Sequence, residues 1–245
     1  MRSIFHAFTK FFDSTDPFRP YTWRLAWTYV SKTPRAVLAA QSVILVEKEY
    51  MRKTQGLFIH QLMRQQPWVK EVVVVGFHVG HASWIFLSSR PDVKVTSFTL
   101  DEHGYVPMTS DLIDRLFPGR HELVLGDPRM TIADFAATNP QRRFDLIYID
   151  AEPEFEVDLD DIKNCRLLAT NQTIVIMDNL NPHKEWALGP IRAWGESQQN
   201  GIVLEDVLVE NGFPVMGVAA SEIGESSKVW ALGHYVNLGD QDTSK

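Results

Sequence analysis

The stretch Glu71-Val72-Val73-Val74-Val75-Gly76-Phe77-His78-Val79-Gly80-His81-Ala82-Ser83 decides the fold. Four consecutive valines predict a strand buried on both faces, the kind from which parallel sheets are built. Gly76 and Gly80 then predict a tight strand-to-helix turn whose bare backbone lets a ligand come close. Such a turn lies at the end of the sheet where open α/β folds bind ligands. A dinucleotide pyrophosphate needs G-x-G-x-x-G, and His78 stands where the middle glycine would be, which disfavours a nicotinamide-dependent oxidoreductase. A turn with no ligand is the plainer alternative.

Downstream, Ala82 to Ser89 reads as a crossover helix and Asp92 to Phe98 as a second strand. A helix over Asp111 to Phe117, stopped by Pro118-Gly119, leads to a strand over Glu122 to Gly126 and a short helix over Ile132 to Ala137. Phe144 to Asp150 is a strand ending in a carboxylate, Asp158 to Leu168 a helix, and Thr173 to Asp178 another strand ending in a carboxylate. Strand alternating with helix predicts an α/β fold with a doubly wound, mostly parallel sheet. Gly189-Pro190 opens a helix to about Gln199, after which Leu204 to Val209, Val215 to Ala219 and Lys228 to Val236 follow without helices. That tail suits antiparallel closing strands, with one segment left unplaced.

Upstream, Met1 to Ser31 is rich in aromatics and broken by Asp16-Pro17 and Arg19-Pro20. Thr33-Pro34 can open a helix from about Arg35, and Gly56 to Met63 stays helical up to Gln66-Pro67. The expected organisation is one domain, with an N-terminal helical cap over 1–66 and an α/β core over 67–245. A length of 245 residues and 44% hydrophobic content suit that reading.

Against 24 basic residues stand 31 acidic ones, a net charge of −7 with no basic cluster interleaved with aromatics, so nucleic acid is not an expected partner. No apolar run approaches the ~18 residues of a membrane span, and Met1 to Phe12 is too short and interrupted for a secretory signal. Cys165 is the lone cysteine, which excludes an intrachain disulfide and fits a reducing compartment, the cytoplasm. A homodimer stays open.

Asp150, Asp178 and Asn179 form the sharpest constellation: two carboxylates at the ends of neighbouring strands, with an amide beside them, offer hard oxygen ligands to one octahedral cation. Strand-end Asp and Asn also cap helices and make turns, which is the competing explanation. The G-x-x-x-G turn after a buried strand resembles the first motif of class I S-adenosylmethionine (SAM) methyltransferases. Phe144 to Asp150, Asn164 to Leu168 and Thr173 to Asn179 match, in order and spacing, the catechol and caffeoyl-CoA type O-methyltransferases. Glu49 to Phe58 is similar to the segment preceding the first strand there, so the resemblance spans roughly Glu49 to Trp194.

It implies a seven-stranded Rossmann-like sheet with an antiparallel strand near the C-terminus. It also implies SAM held by Gly76, Phe77, His78, Gly80, Ser83, Thr99, Asp101 and, at the adenine edge, Asp127. Mg²⁺ or another divalent cation would rest on Asp150, Asp178 and Asn179; beside these, and not from the resemblance, Glu152 could act as a base if burial raises its pKa, which makes Asp150 and Glu152 the candidate catalytic carboxylates. The chain departs from the family at Val74, where an acid usually stands; at Thr99, where a carboxylate usually accepts the ribose hydroxyls; and at Pro153, where a lysine takes the acceptor's proton. Asp101 or Glu102 could replace the ribose acid. His78 and His81, lacking a third ligand in sequence, line the turn rather than bind zinc. The expected function is a metal-assisted, SAM-dependent O-methyltransferase acting on a small hydroxylated molecule. The alternative is a methyltransferase-like protein that has lost transfer and serves as a binding or scaffold module, or uses the pocket for another ligand.

Overall fold

The computed structural model describes residues 53–101, 104–150 and 154–238. Most of the predicted N-terminal cap, and Glu102, Glu152 and Pro153, therefore lie outside the described residues.

The chain enters through α1 (Lys53–Gln65) and reaches β1 (Glu71–Val75). It continues through α2 (His81–Ser89), β2 (Lys94–Thr99), α3 (Val106–Leu116), β3 (His121–Leu125), α4 (Pro128–Thr138), β4 (Leu146–Ile149), α5 (Phe155–Cys165) and β5 (Ile174–Met177). After α6 (Leu188–Gln199) come β6 (Val203–Glu210), β7 (Phe213–Val215) and β8 (Val229–Tyr235). The strands form one sheet in the order β3-β2-β1-β4-β5-β8-β6-β7. β1 to β5 are parallel, whereas β8 pairs antiparallel with β5, and β6 antiparallel with β8 and β7.

The valine run explains why β1 lies in the middle. Val72 and Val74 pack into the core on one face with Ile59, Phe86 and Tyr148, while Val73 and Val75 pack on the other with Ile147, Ile162 and Val175. All four are fully buried, so both faces must be covered by helices, which is the parallel-sheet arrangement. α2 shows the same demand, being buried from His81 to Leu87 with little polar face.

The sheet has eight strands where seven are expected, because a short edge strand, β7, is added; of the segment Val215 to Ala219 read from the sequence, only Val215 belongs to it. Asn211 (φ 50°) and Gly212 (φ 91°) form the two-residue turn that joins β6 to β7, with Glu210 opposite Phe213. Two residues at positive φ make the hairpin geometry that Asn-Gly favours. α3 and α4 begin earlier than their apolar spacing suggests, since Pro107 and Pro128 occupy first-turn positions that need no backbone donor. No helix among the described residues is long and apolar enough to cross a membrane.

Candidate functional site

The strand order reverses between β1 and β4, and the loops at their C-terminal ends open a crevice there. Gly76 (φ 89°) and Gly80 (φ 82°) both hold left-handed backbone, with the Gly80 N–H donating to the Phe77 carbonyl at 2.7 Å. A side chain at either position would be strained, so the bare backbone of this turn is a structural requirement. His78 is also left-handed (φ 47°), and its Nε2 donates to the Asp150 carbonyl at 3.0 Å, tying the glycine turn to the end of β4. Burial lowers the His78 pKa, which keeps the ring neutral for that contact.

Parallel pairing sets Ile149 against Met177, and the Asp178 N–H continues the ladder to the Ile149 carbonyl, which places Asp150 beside Asp178. Both are buried. Tyr148 lies two residues before Asp150 and so on the same face of the strand. Its hydroxyl donates to Asp178 Oδ2 at 2.7 Å and stands 3.4 Å from Asp150 Oδ2. Asn179, left-handed at φ 67°, donates its Nδ2 to Asp150 Oδ1 at 2.8 Å and its backbone N–H to Asp178 Oδ1 at 2.7 Å. Asp150, Asp178 and Asn179 thus meet as the sequence predicts.

Sequence reasoning missed their partners. Lys228, immediately before β8, is buried with its ammonium 3.0 Å from Asp178 Oδ1 and 2.8 Å from Asn179 Oδ1. Gln55 of α1, fully buried, donates from Nε2 to the Tyr148 hydroxyl at 3.2 Å. Burial, chiefly, and the neighbouring Asp178 push the Asp150 carboxyl up to about 7, against the opposing pull of Lys228. Burial and both aspartates hold the Tyr148 phenol well above its ordinary range, so it remains a donor. Asp150 Oδ2, with only the long Tyr148 contact, is the least engaged carboxylate oxygen of the cluster.

This donor set does not suit the expected divalent ion as it stands. Asn179 Oδ1 and Asp178 Oδ1 already accept from Lys228, and Asp150 Oδ1 from Asn179. Among the described residues, no group of three or more His, Cys, Asp or Glu side chains converges as metal ligands would.

The remaining expected contacts are scattered. The Phe77 ring is buried and stacks on His121, leaving only its backbone to the turn. Ser83 is fully buried and shares its hydroxyl with Ser97 on β2 at 2.8 Å, so it faces the sheet. Thr99 ends β2 nearly buried, its hydroxyl donating to the Leu100 carbonyl at 3.1 Å. Asp101 Oδ1 accepts from the Val106 N–H at 3.3 Å, helping to start α3. Asp127 caps α4 through the Arg129 N–H and pairs with the Arg129 guanidinium at 2.6 Å, which lowers its pKa. A separate groove of about 560 Å³ lies at the opposite end of the sheet, lined in part by Arg90 and Arg120. Its guanidinium groups are spent on backbone carbonyls, Arg90 on Met63, Gln66 and Val69, and Arg120 on Leu87, Arg90 and Val93.

No family model and no curated protein matches the sequence. Solved structures do. The O-methyltransferase from Bacillus cereus in complex with SAH is 15% identical with a TM-score of 0.61, covering 82% of this chain and 89% of that one. The SAH-bound methyltransferase PaMTH1 of Podospora anserina is 14% identical with a TM-score of 0.59, covering 88% and 86%. The SAM-bound O-methyltransferase TomG of Streptomyces achromogenes, involved in tomaymycin synthesis, is 16% identical with a TM-score of 0.54, covering 76% and 81%. A glycine turn after a buried central strand, carboxylates ending the next two strands and an antiparallel C-terminal strand, together with this likeness, show that the chain adopts the class I SAM-methyltransferase fold.

Proposed function

We propose that this protein is a SAM-dependent O-methyltransferase acting on a small hydroxylated molecule in the cytoplasm. The observation that supports the reading best is the junction of the glycine turn with the Asp150 cluster, made by His78 on the Asp150 carbonyl at 3.0 Å. A cofactor cradle and a candidate base thereby share one end of one crevice. The neighbours of like fold that hold SAH or SAM add support.

In this reading the backbone from Gly76 to Gly80 holds SAM, and Thr99 and Asp101 face its ribose from the end of β2. Asp127 reaches the adenine edge only if it leaves Arg129. When bound, SAM supplies an electrophilic sulfonium methyl. The chain's own task is to hold the acceptor hydroxyl in line and take its proton, work dominated by positioning. Asp150, raised to about 7, is tuned for a general base at neutral pH. Tyr148, Asn179 and Lys228 hold the carboxylates in place. The second reading, a binding module without transfer, draws on Thr99, which offers a ribose weaker acceptance than an ionised carboxylate would.

Calorimetric titration with SAM and SAH tests the cradle, and SAH release from a panel of phenols and sugars tests transfer. Binding of both ligands is expected, together with an at least tenfold loss of affinity in Gly80→Val, whose side chain would occupy the turn. SAM binding without SAH release would favour the binding module. Absence of binding to either ligand would sink the methyltransferase reading and leave a scaffold or a pocket for another ligand.

A further inference from the structure

The cluster between β4, β5 and β8 already contains a cation. We propose that the Lys228 ammonium is the resident cation of this site, taking the place of a divalent ion, so that the protein binds no metal between Asp150 and Asp178. It touches two of the oxygen donors that a cation would need, Asp178 Oδ1 at 3.0 Å and Asn179 Oδ1 at 2.8 Å. The third, Asp150 Oδ1, is taken by Asn179 Nδ2, whose amide orientation is set by giving its oxygen to the lysine. One ammonium therefore organises the donor set directly and through one amide.

The seat is built into the fold. Because β8 runs antiparallel to β5, its first residues arrive at the C-terminal ends of the parallel strands, and the Leu180 N–H donates to the Val229 carbonyl at 2.9 Å. Lys228 is then pinned by Asn211, which accepts from the Lys228 N–H at 3.0 Å and donates its own N–H to the Lys228 carbonyl at 2.9 Å. Asn211 is itself fixed by the hairpin turn and by its Nδ2 contact to Ser227 at 2.9 Å. Two buried carboxylates side by side require positive charge, and a tethered ammonium meets that need at no cost in ion binding. A hard cation such as Mg²⁺ would have to expel the lysine from both oxygens before reaching its own ligand distances.

A corollary rests on the methyl-transfer reading: an acceptor held without a metal needs a single hydroxyl and no neighbouring oxygen to complete a chelate.

The test titrates Mn²⁺ into the full chain by electron paramagnetic resonance and follows melting temperature with Mg²⁺ or EDTA, for wild type and Lys228→Met. Wild type is expected to leave Mn²⁺ free at about 1 mM and to melt alike with Mg²⁺ and with EDTA. Lys228→Met is expected to melt about 5 °C lower in EDTA, having lost the partner of a buried charge, and to regain part of that with Mg²⁺. Wild-type Mn²⁺ binding at micromolar concentration, or an unchanged melting temperature in Lys228→Met, would overturn the proposal. If the variant does not fold, the wild-type titration still decides. SAM binding is read separately, so a protein that binds neither SAM nor Mn²⁺ refutes the methyltransferase reading and leaves this one standing.

Discussion

Asp150 carries opposite demands in one side chain. Burial and Asp178 favour its neutral form, while Lys228, Asn179 and Tyr148 favour the carboxylate, and the balance falls at about 7. Under the proposed methyl transfer Asp150 would act as a base only when ionised, so turnover should rise with pH through about 7 and level off above. Asp150→Asn keeps the shape, removes the base, and should lower turnover by about 10²–10⁴-fold, the usual worth of general base catalysis. SAH release measured across neutral pH checks both, and a variant that retains both the rate and the rise would remove Asp150 from the mechanism. Thr99 and Asp127 show the other side of this scale, since both are engaged in local structure: the Thr99 hydroxyl gives its proton to the Leu100 carbonyl, and the Asp127 carboxylate accepts from Arg129.

Among elements, the pairing of β6 with β8 deserves a direct test because it delivers Lys228. The register shifts between Glu205 and Val207, an irregularity that interrupts the ladder. Gly233 faces this irregularity. A Cβ there would fall inside the contact radius of the Leu204 carbonyl oxygen and lie 3.2 Å from the Trp194 ring. Backbone cannot yield as a flexible side chain can, so Gly233→Ala should destabilise the fold by about 1–3 kcal/mol, as overpacked sites do. Denaturant unfolding checks it, and a stability equal to wild type would mean that the strands separate there at little cost.

For the whole molecule, the second carboxyl of consequence is Asp161 on α5, fully buried with both oxygens lacking a hydrogen-bond partner. Burial, then the charge of Asp127, pushes it up to about 7, opposed by Arg129. The unfolded chain releases this proton near the ordinary value of about 3.9. Between the two values the folded state holds more protons, so stability should fall as pH rises from about 4 to about 7 and then flatten. Asp150 contributes with the same sign. Asp161→Asn should reduce the stability difference between pH 5 and pH 8 by on the order of 2 kcal/mol, measured by urea unfolding at both pH values. An unchanged difference would mean that Asp161 is ionised and solvated in the fold.

Local pattern was enough for the architecture. The valine run, the glycines after it and the carboxylates ending two later strands are signals carried by a few adjacent residues, because burial on both faces, left-handed turns and strand ends are local properties. They make the sheet, the glycine turn and the meeting of Asp150, Asp178 and Asn179 legible in the sequence, whereas the hairpin at Asn211-Gly212, which puts β7 on the edge, is a finding of the structure. The partners of that cluster are not legible in the sequence either. Lys228 is 49 residues from Asn179, and Gln55 is 93 from Tyr148. Which side chain reaches the carboxylates depends on the antiparallel register of β8 against β5 and on how α1 lies over the sheet. Those are long-range pairings, and only the tertiary structure determined that the charge between two buried aspartates comes from a lysine of the chain itself.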